Sequence, residues 1–398
     1  MTATTSLKRQ LIAVALILAL FPPPGGMFSN PQNPEIRTGM AEFDFETENA
    51  LFINQDSDKL IIDWESFSID HGELTRFIQP NSSSAALNRV FTGDPSAIHG
   101  QLEANGNIIL INPNGILVGP GGRVDTAGFI ASTLDVSDAD FLDGGDLTFS
   151  GGSTAAVTNL GTINSIDGGD IFLIARRVEN AGNLTAEGTV GLAAGSQVVV
   201  AAAGEERVMI APGGEGSVDN SGVIEAATAE LKAAGGNEYA LAINNDGLVR
   251  AKGFENRGGK LYLSAGGGRI VNNGRMESTG MVKFNNPNGV VESVGSVAAK
   301  EEENGGSIVI DASQVRILGP STFDVSGNEG GDVAIRAKVI AQVDGQINAR
   351  GAVGNGGKID ISADEIGVGA TGAIRADGEA EGGMITFGAS PLAPREAV

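Results

Sequence analysis

The chain has no cysteine, one tryptophan, two tyrosines and two histidines in 398 residues. Without cysteine there is no disulfide framework and no thiolate metal or redox site. His71 and His99 lack a partner at the i, i+4 spacing of helical metal ligands, so both read as turn or cap residues and no cofactor or metal is expected. Basic residues are scarce as well: 26 Lys and Arg stand against 49 Asp and Glu, for a formal charge of −23. That balance excludes the cation-rich faces that nucleic acids and anionic membranes require, and no nucleic-acid partner is expected. Long apolar runs are missing. Leu11 to Phe21 is only 11 residues long, too short to span a bilayer. With Lys8 and Arg9 before it and Pro22 to Gly26 after it, residues 1–26 read as an export signal. Ala19 is followed by Leu20 and Phe21, so no small-x-small cleavage site marks its end.

Catalytic patterns are equally thin. No Gly-x-Ser-x-Gly elbow follows a long strand, and Gly266 to Gly268 precede no helix that could cradle phosphate. The acidic runs Glu301 to Glu303 and Asp138 with Asp140 read as solvated corners between strands. The alternative to a non-enzymatic reading is a polysaccharide-binding protein or lyase, because β-helix enzymes place carboxylates and Arg or Lys from adjacent coils in one groove. The outward positions Thr148, Phe172, Val309, Ala334, Asp360 and Thr386 give no persistent row of acids. A carboxylate cluster on neighbouring coils, flanked by Arg, would revive it.

What the chain does have is glycine, 59 in all, and short strands. From Ile36 to Val90 apolar residues alternate with polar ones, as in Leu60, Ile62 and Trp64, which is the period of half-buried strands. Trp64 and Phe67 are placed to plug the open end of a β core, with Phe77 in the same core. Beyond Gly144 a pattern of Gly-Gly, one residue, apolar, one residue, apolar recurs at Gly144, Gly168, Gly258, Gly305, Gly330, Gly356 and Gly382. The last four begin 25, 26 and 26 residues apart. Second strands follow at Val315 to Leu318, Val339 to Val343 and Glu365 to Val368, and third strands close on Gly327, Gly351 and Gly378. Asn180, Asn220, Asn245 and Asn273 open equivalent corners.

Three short strands per repeat bury nothing alone, but stacked coils bury one continuous column. The expected fold is therefore all-β: a right-handed parallel β-helix with an N-terminal β cap over its first coil. Repeats continue over 201–388, and 389–398 form an unstructured tail. Two rows should run in register, Ile308, Val333, Ile359 and Ile385 beside Ile310, Ile335, Ile361 and Phe387.

The stretch Asn105 to Leu134 reads strand, turn, strand, turn, strand. Asn112, Pro113, Asn114 and Gly115 suit a type I turn before Ile116, and Gly119-Pro120-Gly121-Gly122 uses similar chemistry. Asn286-Pro287-Asn288-Gly289 repeats the first tetrapeptide, so the four residues alone mark a turn. The flanks differ. DWESFSI from Asp63, FIQP from Phe77, LNRV from Leu87, Ser96 to Gly100 and FIASTLDV from Phe129 resemble, in order and spacing, the secretion domain of two-partner secretion exoproteins, the filamentous haemagglutinin family. The resemblance covers about residues 34–200, within a secretion domain set at 27–200. An upstream Asn-Pro-Asn-Leu motif of some members is replaced here by Gln79-Pro80-Asn81-Ser82.

The resemblance implies a secretion motif at Asn112, Pro113, Asn114, Gly115 and Ile116, and a cap over the first coil. It implies export by the general export machinery and then by an outer-membrane barrel with periplasmic polypeptide-binding domains. The product would be secreted or held at the surface of a Gram-negative-type bacterium, with an adhesin-like role towards host or neighbouring cells.

Overall fold

The computed structural model describes residues 30–45, 49–211, 213–237, 239–253, 258–301 and 303–389. The expected export signal, Glu302 and nearly all of the expected tail lie outside them. The described chain is a parallel β-helix. One 22-stranded and one 15-stranded sheet carry its faces, with a separate three-stranded sheet alongside.

Strands form where apolar residues alternate, and coils stack where the alternation stays in register, because a one-residue slip would turn every apolar side chain outward. Leu60 pairs with Ala86, Ala86 with Ile108, Ile108 with Phe129 and Phe129 with Ile171. The same column continues through Val190, Ala229, Leu261 and Val282 to Ile308, Val333, Ile359 and Ile385. The neighbouring row pairs Ile310, Ile335, Ile361 and Phe387 as expected. Both rows face inward and are sealed up to Ile359 and Ile361, whereas Ile385 is 40% and Phe387 51% exposed. No further coil covers them among the described residues.

The opposite end is covered. Glu35–Thr38 runs antiparallel to Lys59–Trp64, and Ala41–Asp44 antiparallel to Ala50–Gln55. Over this end Phe43 meets the edge of Trp64 at 5.7 Å between ring centres, and Trp64 meets Phe67 at 5.6 Å. Trp64 is fully buried, so it offers no face to a ligand. Its indole donates to Asn88 Oδ1 at 2.9 Å, which satisfies a polar residue inside the apolar row. Phe77 stacks between Ile53 and Ala104 on another face.

Two readings of the repeats need correction. The Gly144 block is not a rung. Leu147–Ser150 pairs antiparallel with Gln197–Val200, which pairs antiparallel with Val208–Ile210, and this small sheet lies outside the helix over a second core of Ile61, Leu87, Ile109, Phe172 and Ala193. A Gly-Gly-x-apolar string specifies strand entry but not the partner. Asp138 and Asp140 likewise do not stand in a loop. They open the helix Asp138–Asp143, capped by Ser137, and Asp138 pairs with Arg89 at 2.6 Å.

The corners hold a feature the spacing only hinted at. Buried Asn159, Asn180, Asn220, Asn245 and Asn272 donate each to the next along the axis at 2.7–2.9 Å, and Asn272 passes the chain to Ser293. Asn272, not Asn273, occupies the ladder position. Each amide satisfies the coil beside it, so the buried polar row carries little desolvation penalty.

Candidate functional site

Asn107–Ile111 leads into the expected turn and Ile116–Val118 leaves it. Gly115 N–H donates to Asn112 O at 3.1 Å, closing a four-residue turn in which Asn114 keeps ordinary negative φ, whereas Gly115 sits at +117°. A side chain would strain that position. Asn112 is fully buried and its amide is completely used. Nδ2 donates to Asp94 O at 2.9 Å and to Ser96 Oγ at 3.0 Å. Oδ1 accepts from the Asn114 backbone N–H at 2.9 Å and from Asn114 Nδ2 at 3.1 Å. Asn114 Nδ2 also reaches Thr92 O at 2.6 Å, and Ser153 Oγ donates to Pro113 O at 2.6 Å. Ile116 is sealed in the core, paired with Ser96 on one side and Val157 on the other.

The turn therefore ties the coil before it, through residues 92–96, to the coil after it, through Ser153 and Val157. It buries Asn112 and Ile116 while leaving Pro113 and Asn114 exposed. Thr92, Asp94, Ser96 and Ser153 are the partners that motif reading missed; only the preserved Ser96 flank signalled one of them.

The following turn is of a different type. Gly122 N–H closes on Gly119 O at 2.9 Å, with Gly121 at φ +85°, the third-position geometry of a type II turn. Gly119 has a packing reason besides: a side chain there would overlap the His99 ring. His99 in turn lies 5.0 Å from His71 between ring centres, and burial first, then His71, pushes its pKa below the usual imidazole value. The two histidines do sit together, but among the described residues no three His, Asp or Glu side chains could hold a metal.

The repeated tetrapeptide does not make a turn. Asn286 to Gly289 lies inside the strand Met281–Ser293. Asn285 and Asn286 stay paired with Asp311 and Ala312, and pairing resumes at Val290 with Gln314 after a bulge. Asn286 Nδ2 donates to Gly268 O and Val290 O, but its buried Oδ1 has no partner. Stacking on the next coil overrides the turn preference. The two identical tetrapeptides thus differ in backbone and in hydrogen bonding, while in exposure only the proline departs, half-buried at Pro287 and exposed at Pro113.

The architecture is a capped parallel β-helix with an extra-helical sheet and a turn at Asn112 that ties three coils together. Residues 41–278 match the TPS secretion domain family, and the chain belongs to that family of two-partner secretion domains. The heme/hemopexin-binding protein of Haemophilus influenzae is 40% identical over 106 residues, 27% of this chain and 11% of that protein. Its counterpart in H. influenzae strain Rd is 29% identical over 254 residues, 60% of this chain and 28% of that protein. The chain thus aligns with no more than 28% of the length of these relatives. The crystal structure of the H. influenzae HMW1 secretion domain superposes at a TM-score of 0.69 and 24% identity, over 90% of this chain and all of that one, which establishes the shared fold.

Proposed function

We propose that this chain is a secretion substrate recognised through the Asn112 to Ile116 turn. It reaches the periplasm by the general export machinery, passes an outer-membrane two-partner transporter that binds it through periplasmic polypeptide-binding domains, and folds outside, secreted or cell-bound. The observation that carries this reading is the split character of the turn. Asn112 and Ile116 serve the fold, whereas Pro113 and Asn114 face solvent in a chain whose family is defined by secretion. The fold suits the route: no disulfide blocks threading, and coils added one on another bias movement outward as the column is buried. Its surface role is adhesin-like and non-enzymatic.

One observation favours glycan contact as a second reading. A groove of about 820 Å³ runs beside Gly327, Gly351 and Gly378 on neighbouring coils, with Lys300, Glu303, Arg350, Asp377 and Glu379 in its walls. This is the acid and Arg arrangement that a lyase would use. Here Arg350 is held by Asp377 at 2.7 Å and Lys300 by Asp324 at 2.8 Å. Arg350 also pulls the Asp377 pKa below the usual carboxylate range, the wrong direction for a general base near neutrality. The groove suits binding rather than elimination.

Fractionation of cells with and without the cognate transporter tests the main proposal. The protein should leave the periplasm only when the transporter is present; export independent of it would overturn the reading.

A further inference from the structure

Between the β-helix and the extra-helical sheet lies a groove of about 360 Å³, within the size range of small-molecule pockets. Its floor is apolar, formed by Ile109, Ile130 and Phe172, and Phe141 and Leu147 close it from the outer layer. Lys59 stands at one end. Its ammonium lies 4.7 Å from the centre of the Phe141 ring and no carboxylate pairs with it among the described residues. It is therefore unlike Arg207, the other cation in the groove, which Asp170 holds at 2.9 Å. Burial lowers the Lys59 pKa, with no opposing contribution from an acid. An aromatic face compensates a partly desolvated ammonium only in part, and an unpaired cation withdrawn from water is costly. In a chain with 49 acidic residues, the absence of a partner at this position leaves room for an external anion.

We propose that this groove binds an aliphatic carboxylate, its chain lying on Ile109, Ile130 and Phe172 and its head group paired with Lys59. The walls supply apolar contact and the lysine supplies orientation, the usual division of labour in such sites. Gly145 lines the rim with open space around it and no positive φ, so a large side chain can be introduced there without backbone strain.

The test is calorimetric titration of the purified full chain with sodium decanoate, beside 1-decanol and sodium acetate. Saturable binding of decanoate at one site is expected, at least about ten-fold tighter than decanol, with no saturable binding of acetate. Lys59→Gln should weaken decanoate about ten-fold or more, and Gly145→Trp should abolish binding while leaving the melting temperature unchanged. No saturable decanoate binding up to about 1 mM, equal affinity for decanol, or unchanged affinity in a folded Lys59→Gln protein would each overturn the proposal. Should Lys59→Gln fail to fold, retained binding by Gly145→Trp would do the same.

Discussion

Glu179 and Asp219 stand directly opposite each other on adjacent coils, both withdrawn from water. Burial is the main cause that raises each pKa above the ordinary carboxylate value; Asp219 adds to the effect on Glu179, while Arg177 opposes it on both. Asn244 donates to Asp219, and Asp246 pushes the same group further up. A raised folded pKa favours the fold below the unfolded value, and that contribution is lost as pH rises through the folded one. At neutral pH the pair is therefore a liability. Asp219→Asn should raise the melting temperature at pH about 7 and have little effect at pH about 3, below the ordinary carboxylate range. Equal gains at both pH values, measured by circular dichroism, would show that charge is not the cause. At this scale the sequence was partly readable. Asn112, Pro113, Asn114 and Gly115 announce a turn through their own chemistry, and the structure has it. The same four letters at Asn286 give a bulged strand, because the paired coil at Ser307–Ile317 outweighs local preference.

Among elements, the hairpin of Gln197–Val200 and Val208–Ile210 adds a buried charge cluster to its apolar contact with the second core. Glu230, fully buried, accepts from the Arg207 and Val208 backbone N–H groups at 2.6 and 3.0 Å. Lys232, nearly as buried, pairs with Glu230 at 2.9 Å and Glu206 at 2.8 Å and donates to Val208 O at 2.6 Å. Removing one partner of a buried pair leaves the other uncompensated, at about 3–5 kcal/mol. Lys232→Met should therefore loosen the hairpin first, seen as protease cleavage between Ala201 and Arg207 under conditions where the β-helix stays intact. Cleavage no faster than in the parent chain would show that apolar contact with Phe172 suffices. The helical rungs were legible because Gly-Gly and the apolar pair recur with a fixed period. The outer sheet was not, since Leu147–Ser150 carries the same pattern and pairs with a strand about fifty residues later; local alternation encodes which side chains turn inward and not which strand they meet.

At the scale of the whole molecule, one end is closed by antiparallel strands and aromatic rings, and Met384–Gly388 is the last rung among the described residues, with Ile385 and Phe387 partly exposed. Because each coil is supported by its neighbours, stability should fall towards the uncovered end. Backbone hydrogen exchange at Met384 to Phe387 should be faster than at Asp332 to Ile335, and equal protection would reveal a cover over the last rung. The period, the cap and the columns all follow from residues visible in the chain; the axial asparagine ladder emerges only once the corners are superposed, because its members are 21 to 40 residues apart.

The secretion reading meets its most direct test in a comparison of the two Asn-Pro-Asn-Gly segments. Asn114→Ala removes a solvent-facing side chain whose hydrogen bonds go to Thr92 and Asn112, so purified protein should keep its β content and lose no more than about 1 kcal/mol of stability. Asn288→Ala makes the matching change inside a bulged strand. Expressed with the cognate transporter and measured as the exported fraction, Asn114→Ala should fall sharply while Asn288→Ala stays near the parent level. Equal export of the two variants would contradict recognition at Asn112 to Ile116 and leave that turn a purely structural one.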